Sequence, residues 1–415
     1  MKIFKLLAVA FVAMLSFSSC DQHECEDFDY DHSADLVGTW TCLQENFAEA
    51  LVIKADGSVT STGVAFGEYW ENVEGKIEIK NGKATMTFED HDNYEGHFDI
   101  IPGVAFSIYN DKERRFTYNY CANDLSDEIV GMWVCNDAPA GADNDMAIIS
   151  YANDGSTTFT GILPNKDGYM LNVNTTYNVV GDLMFKKNAV QGTSDSHKYI
   201  STRLTYAPNG TGAGDIMVYK HYNGTVETSS SYLRVKSNLE LAGNKYDYSS
   251  TYVSNVDGLD QEIDFMGFKF NFAEMDGVRL DKMLKTLLFS VEFPDSEHIK
   301  YSCMIKSDSV ASVIAPIVVE GNKMTILLSS VYSGYRDIDL YAFQDADNCQ
   351  LHIYMPTYSF ENFFGNMQVL MMTQMGQLDA NDENAVKAVY DNIANAVRSV
   401  NVSFVMEKPS NTKAL

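Results

Sequence analysis

The chain repeats itself, and the repeat limits what it can fold into. Gly38-Thr39-Trp40-Thr41-Cys42 returns 93 positions later as Gly131-Met132-Trp133-Val134-Cys135. An acidic-apolar lead-in precedes each copy, Asp35-Leu36-Val37 and Glu128-Ile129-Val130. A similar turn signal follows each, Asp56-Gly57-Ser58 running to Gly63 and Asp154-Gly155-Ser156 running to Gly161. Spaced self-similarity of this kind marks tandem modules, each a supersecondary unit in its own right. At 415 residues, 45% of them apolar with 24 Tyr and 23 Phe, the chain can build several full cores.

The modules read as antiparallel β. Lys76-Ile77-Glu78-Ile79-Lys80 alternates, Asn81-Gly82 turns, and Lys83-Ala84-Thr85-Met86-Thr87-Phe88 alternates back. Asn-Gly between alternating runs is the strongest short-range hairpin signal. Residues 97–100 and 115–120 supply further strands, and many short strands at this spacing imply a barrel or sandwich. The same texture continues through residues 146–151, 157–161, 176–180, 182–185, 200–206, 215–219 and 231–235, with turns at Asn209-Gly210 and Asn223-Gly224.

A third segment opens with Leu239-Glu240-Leu241-Ala242-Gly243-Asn244-Lys245-Tyr246, a looser echo of the repeat without its Trp. Strands are expected over 263–272, 289–293, 323–328, 337–343 and 350–354. Helices intrude here. Leu280, Met283, Leu284, Leu287 and Leu288 keep one helical face, and Met367, Met371 and Met375 do so more loosely. The clearest helix runs from Asp382 to Arg398, with Ala385, Val386, Val389, Tyr390, Ile393, Ala394 and Val397 as one stripe. Val400, Val402, Phe404 and Met406 then alternate as a closing strand. The organisation is therefore a leader (1–19), a tether (20–33), module one (34–123), module two (124–237) and a C-terminal β-rich module with helices (238–415).

The leader has Lys2 and Lys5, an apolar run from Leu6 to Leu15, then Ser-Phe-Ser-Ser before Cys20, as a signal peptide does. Small residues before a cysteine resemble a bacterial lipobox, which would make Cys20 the lipidated N-terminus. The apolar run is too short to span a bilayer comfortably, and no later stretch is long enough for a transmembrane helix. Several acyl chains would anchor the protein durably. The acidic stretch from Asp21 to Asp31 resembles the export signal of surface lipoproteins in some Gram-negative bacteria; it reads equally as a self-repelling linker. Outer-membrane anchoring with surface display is the expected location, and a periplasm-facing orientation is the alternative. A formal charge of −27 argues against binding nucleic acid or anionic lipid by charge.

Leu36-Val37-Gly38-Thr39-Trp40 at the mouth of an antiparallel barrel resembles the Gly-x-Trp opening of lipocalins and the wider calycin group. It looks most like the lipocalin-like, calycin-type domains of Gram-negative lipoproteins. The resemblance implies that Gly38, Trp40, Gly131 and Trp133 form barrel floors rather than ligand contacts. It also implies that Cys42, in a first strand, and Cys121, in a last strand, lie on neighbouring strands, where a disulfide is one option and buried thiols the other.

Calycin barrels commonly hold small amphipathic molecules, and an eight-stranded barrel just has room for one. The other reading is that Phe, Tyr and Met fill the interiors. Tyr246, Tyr248 and Tyr252, or Tyr332, Tyr335 and Tyr341, are candidate platforms for a glycan. His91, Glu95 and His97 share a face if extended, the best metal-like cluster, yet they also read as a polar hairpin tip. Nucleophile elbows, His-Glu-x-x-His and phosphate loops do not occur, so no catalytic residue and no cofactor are assigned. The expectation is a non-catalytic envelope lipoprotein that binds a small amphipathic ligand or glycan. The alternative is a structural or partner-binding surface lipoprotein with filled barrels.

Overall fold

The computed structural model describes residues 32–89, 93–110, 115–135, 146–162, 170–187, 199–208, 215–223, 226–265, 268–306, 309–345, 347 and 349–409. The signal peptide, Cys20, most of the acidic tether, His91 and the Asn209-Gly210 turn lie outside the described residues. The protein is mainly β, with three closed eight-stranded barrels. The first is formed by β1 (Gly38–Gln44), β2 (Phe47–Ile53), β3 (Ser58–Ala65), β4 (Glu68–Lys80), β5 (Lys83–Phe88), β6 (Tyr94–Ile101), β7 (Ala105–Tyr109) and β8 (Arg115–Cys121). The second is formed by β9 (Gly131–Cys135), β10 (Met146–Tyr151), β11 (Ser156–Ile162), β12 (Met170–Val180), β13 (Leu183–Lys187), β14 (Tyr199–Ala207), β15 (Ile216–Asn223) and β16 (Val226–Val235), with β9 closing on β16.

The third barrel takes β17 (Lys245–Gly258), β20 (Ser290–Glu292), β21 (His298–Lys306), β22 (Ser309–Glu320), β23 (Lys323–Ile326), β24 (Ile338–Gln344), β25 (Gln350–Met355) and β26 (Val397–Glu407), in that order. Two insertions interrupt it. The hairpin β18 (Glu262–Phe265) and β19 (Phe268–Asn271), with helix α1 (Gly277–Leu287), falls between β17 and β20. Helices α2 (Thr357–Gln374) and α3 (Glu383–Ala396) fall between β25 and β26. No helix among the described residues is long and apolar enough to cross a membrane.

The chain divides into two compact units. One holds Met1–Gly38, Val52–Thr60 and Val73–Asn119; the other holds Thr39–Leu51, Ser61–Asn72 and Tyr120–Leu415. In the first, Asn81 and Gly82 take positive φ of 52° and 67°, which a type I′ hairpin requires at both central residues. Ile77 then faces Met86 and Ile79 faces Ala84 across the hairpin. Its apolar face buries Ile77, Ala84, Met86, Phe106 and Tyr118, with Phe106 and Tyr118 stacked at 4.8 Å.

In the second unit, β24 and β25 are buried on both faces along most of their length. Ala48, Ala50 and Val64 pack on Leu183 and Phe185, and Tyr69 stacks on Tyr199 at 4.7 Å. Val134, Ile148, Ile216 and Leu233 pack on Tyr341, Phe343 and Tyr354, and Val235 forms a β-bridge to Asp345.

Several expectations change. The 263–272 strand is two short strands paired as a hairpin. The last helix begins where its cap predicts, since the Asp382 side chain accepts from the Asn384 and Ala385 N–H groups. It ends at Ala396, and Arg398 belongs to β26, because Val397 onward pairs with β17. Val400, Val402, Phe404 and Met406 are fully buried on that strand. The Met367–Met375 helix starts ten residues earlier, at Thr357. Cys42 and Cys121 are not joined by a disulfide. The Cys121 Sγ donates to the Asn123 carbonyl at 3.0 Å, and burial pushes its pKa up.

Candidate functional site

The barrel interiors come first, because a calycin-type ligand would sit there. In the second barrel Trp133, Ile149, Tyr151, Met184, Met217 and Tyr219 form one buried cluster. Tyr219 stacks on Tyr232 at 4.5 Å, and Tyr151 meets Tyr177 edge-on at 4.8 Å. The Tyr219 hydroxyl donates to Tyr151 at 3.2 Å, and burial pushes both phenols well above their ordinary range. Stacked rings in mutual contact leave a packed interior.

Helices plug the third barrel. Phe360, Phe363 and Phe364 of α2 and Leu280, Leu284 and Leu287 of α1 join the same core as Phe293, Met324, Phe404 and Met406. The apolar space left there, lined by Phe363, Phe293 and Met406 among others, is about 30 Å³. Small-molecule sites run to roughly 300–1,000 Å³, so this space is an order of magnitude too small.

In the first barrel β2, β3 and β4 carry a polar network. Glu49 and Ser61 are buried. The Ser61 hydroxyl donates to Glu49 Oε1 at 2.6 Å, and Trp70 Nε1 donates to Ser61 Oγ at 2.7 Å. Gly63 makes room for the Trp70 ring, since a Cβ there would stand 2.4 Å from it.

The repeated tryptophans are both fully buried. Trp40 meets Tyr120 edge-on at 5.1 Å. Trp133 Nε1 donates to the Ile129 carbonyl at 2.7 Å, and the Arg234 guanidinium lies 4.4 Å from the ring centre. Gly38 and Gly131 take φ of 136° and 131°, a conformation that side chains avoid. Arg234 went unread in the sequence; a lone arginine in the closing strand carries no local motif.

Of the metal-like cluster, His91 is outside the described residues. Glu95 and His97 lie on β6, where His97 stacks on Tyr109 at 5.4 Å. Among the described residues no group of three or more His, Cys, Asp or Glu could hold a metal ion. Of the tyrosine platforms, Tyr246, Tyr248 and Tyr341 are buried, and Tyr332 and Tyr335 are half-buried against each other at 5.0 Å. The Tyr252 side chain lies outside the described residues.

Two outer features remain. On β22, Val310, Ile314 and Val318 point outward with exposures of 54, 54 and 44%, while Ala315 and Ile317 point in. An open polar cleft of about 420 Å³ lies between residues 333–336, in the loop before β24, and the start of α3. Ser333, Tyr335, Arg336, Asn381, Glu383 and Lys387 line it.

No family model matches the chain, and no curated protein matches it. Among solved structures it is similar to the vaccine antigen transferrin binding protein B from Haemophilus parasuis, at 11% identity and a TM-score of 0.23. The match covers 88% of this chain and 66% of that one, so the chain spans just under two thirds of its length. At that score nothing about this chain's partners follows.

Proposed function

We propose that this chain is a non-catalytic, lipid-anchored envelope protein with filled barrels, acting through its outer faces as a structural or protein-binding module. One observation carries the reading: the apolar space inside the third barrel is about 30 Å³, too small for the amphipathic ligand that calycin barrels often hold. The contacting tyrosines of the second barrel agree with it. The outward residues Val310, Ile314 and Val318 offer apolar surface that a protein partner could cover. In this reading Gly38, Trp40, Gly131 and Trp133 serve as barrel-floor structure. Cys20 carries the lipid in the outer membrane and the acidic tether displays the barrels at the cell surface.

Native and denaturing mass spectrometry of the protein extracted from its own host tests the interior. Equal masses are expected, and a small molecule released on denaturation would overturn filled barrels. Protease treatment of intact cells tests display: cleavage is expected, and full protection would place the barrels on the periplasmic side.

A further inference from the structure

Arg336 stands apart from the other described arginines. Arg115, Arg203, Arg234, Arg279 and Arg398 each have a carboxylate at 3.8 Å or closer. Among the described residues Arg336 forms no such pair, although the chain carries 57 acidic residues. Its guanidinium instead lies over the Tyr390 ring, 4.0 Å from the ring centre. The residue is exposed and lines the 420 Å³ cleft.

The surroundings hold it in place. The buried Asn366 side chain accepts the Arg336 N–H at 2.8 Å and donates to the Arg336 carbonyl at 2.9 Å. The Tyr390 hydroxyl donates to the Gly334 carbonyl at 3.1 Å. Ser333 Oγ donates to Asn381 Oδ1 at 2.9 Å, tying the loop to the approach of α3. Gly334 takes φ +79°, and a Cβ there would meet the Ala380 carbonyl at 2.9 Å. The clamped backbone and the Tyr390 ring beneath the guanidinium lower the ordering cost of binding, which favours affinity.

We propose that this cleft binds a sugar acid, a pyranose bearing one carboxylate, with Arg336 taking the carboxylate through two parallel N–H···O bonds. A planar guanidinium with no anionic partner matches a carboxylate bidentately. A second nearby cation, Lys387, is already paired with Asp391, and Glu383 stands in the wall. With Lys387 paired and Glu383 opposing it, the cleft is close to neutral overall and Arg336 is its one unpaired cation, which suits a single carboxylate and disfavours phosphate dianions or clustered sulfates. Tyr335 lines the cleft too, and Ser333 and Asn381, bonded to each other, keep an acceptor lone pair and an amide N–H suited to a sugar's hydroxyls. The cleft lies outside the barrel interiors, so the proposal stands or falls independently of whether they are filled.

Saturation-transfer NMR and calorimetry on the full mature chain decide it, with three probes: methyl glucuronide, the methyl glycoside of N-acetylneuraminic acid, and neutral methyl glucoside. At least one acid is expected to bind with Kd below about 10 mM. The glucoside is expected to bind about tenfold or more weakly, as loss of a charge-assisted pair requires. Arg336→Gln should weaken the acid by a similar factor, and Arg336→Lys should recover only part. Which acid binds better identifies the source, a uronate or a sialate. Absence of binding by both acids overturns the proposal. So does a glucoside that binds as well as the acids, a comparison made on the unaltered chain and thus decisive even if Arg336→Gln folds poorly. Unchanged binding by a folded Arg336→Gln variant also overturns it. Failure here leaves the released-mass experiment untouched, and a ligand found inside a barrel would be insensitive to Arg336→Gln.

Discussion

The guanidinium of Arg234, on the closing strand β16, lies 4.4 Å from the centre of the Trp133 ring on the opening strand β9. The same group donates to the Val130 carbonyl at 2.7 Å and to the Glu128 carbonyl, and pairs with Asp215 at 3.2 Å. One side chain thus ties the acidic-apolar lead-in, the repeated tryptophan and the last strand together. Arg234→Met keeps the length and loses the cation, leaving two backbone carbonyls short of a donor. Cation–π and charged hydrogen-bond magnitudes put the loss at about 2–4 kcal/mol. Arg234→Lys should fall between, since the planar fork is what reaches both carbonyls. Denaturant unfolding of the three proteins checks this; a variant within about 0.5 kcal/mol of the parent would mean the cluster is decorative.

Gly365, inside α2, faces the Tyr390 ring of α3. A Cβ at Gly365 would lie 2.2 Å from two ring atoms. The ring cannot easily retreat, being 2% exposed with its hydroxyl bound to Asn366 and Gly334. Helix propensity alone would make Gly365→Ala stabilising by about 1 kcal/mol. Overpacking costs about 1–3 kcal/mol, occasionally more, and here the overlap is with a locked ring. The expected net effect is destabilisation by about 1–2 kcal/mol. A raised thermal midpoint for Gly365→Ala would show that the helices separate freely.

The Glu49–Ser61–Trp70 chain makes the first barrel depend on a hydroxyl. Ser61→Ala deletes the donor to Glu49 and the acceptor for Trp70 Nε1. Removing one member of a buried polar set costs about 1–3 kcal/mol, whereas removing an exposed serine costs almost nothing. Urea midpoints for Ser61→Ala and for the exposed control Ser229→Ala separate the two cases. Equal midpoints would place the Ser61 network in contact with water.

Much of the fold could be read in advance, and the exceptions have physical causes. Asn81-Gly82 and the Gly-x-Trp repeat are local signals, and the helix over Glu383–Ala396 shows a one-sided stripe with Val386, Val389, Tyr390 and Ile393 buried. The strand β22 hid because its outward residues Val310, Ile314 and Val318 are as apolar as its inward ones, which erases the alternation. The first half of α2 hid for a related reason: Phe360, Phe363, Phe364 and Val369 are buried around more than one face, so no single stripe stands out. The cleft around Arg336 has no sequence motif. Its parts come from residues 333–336, 366 and 380–390, and only the docking of α2 and α3 assembles them.

Acid should weaken the protein through His352. This residue, on β25 between Phe343 and Val405 in register, is almost fully buried, and burial pushes its pKa down to about 4 from an ordinary 6.5. The folded state therefore holds the imidazole neutral, while the unfolded chain takes up a proton below about pH 6.5. Stability from this group is fully present above pH 6.5 and drains away as pH falls toward 4, by about 3 kcal/mol in all. Asp345 acts in the opposite sense. Burial raises its carboxyl to about 6, so its contribution is present at low pH and lost as pH rises through that value. The parent's pH profile thus mixes two opposed slopes between pH 4 and 6. Comparison with His352→Leu isolates one, because Asp345 is common to both proteins. Whatever the offset at pH 7, the variant should gain on the parent by about 3 kcal/mol on going to pH 4. Parallel stability curves over that range would show that His352 reaches water in the folded state.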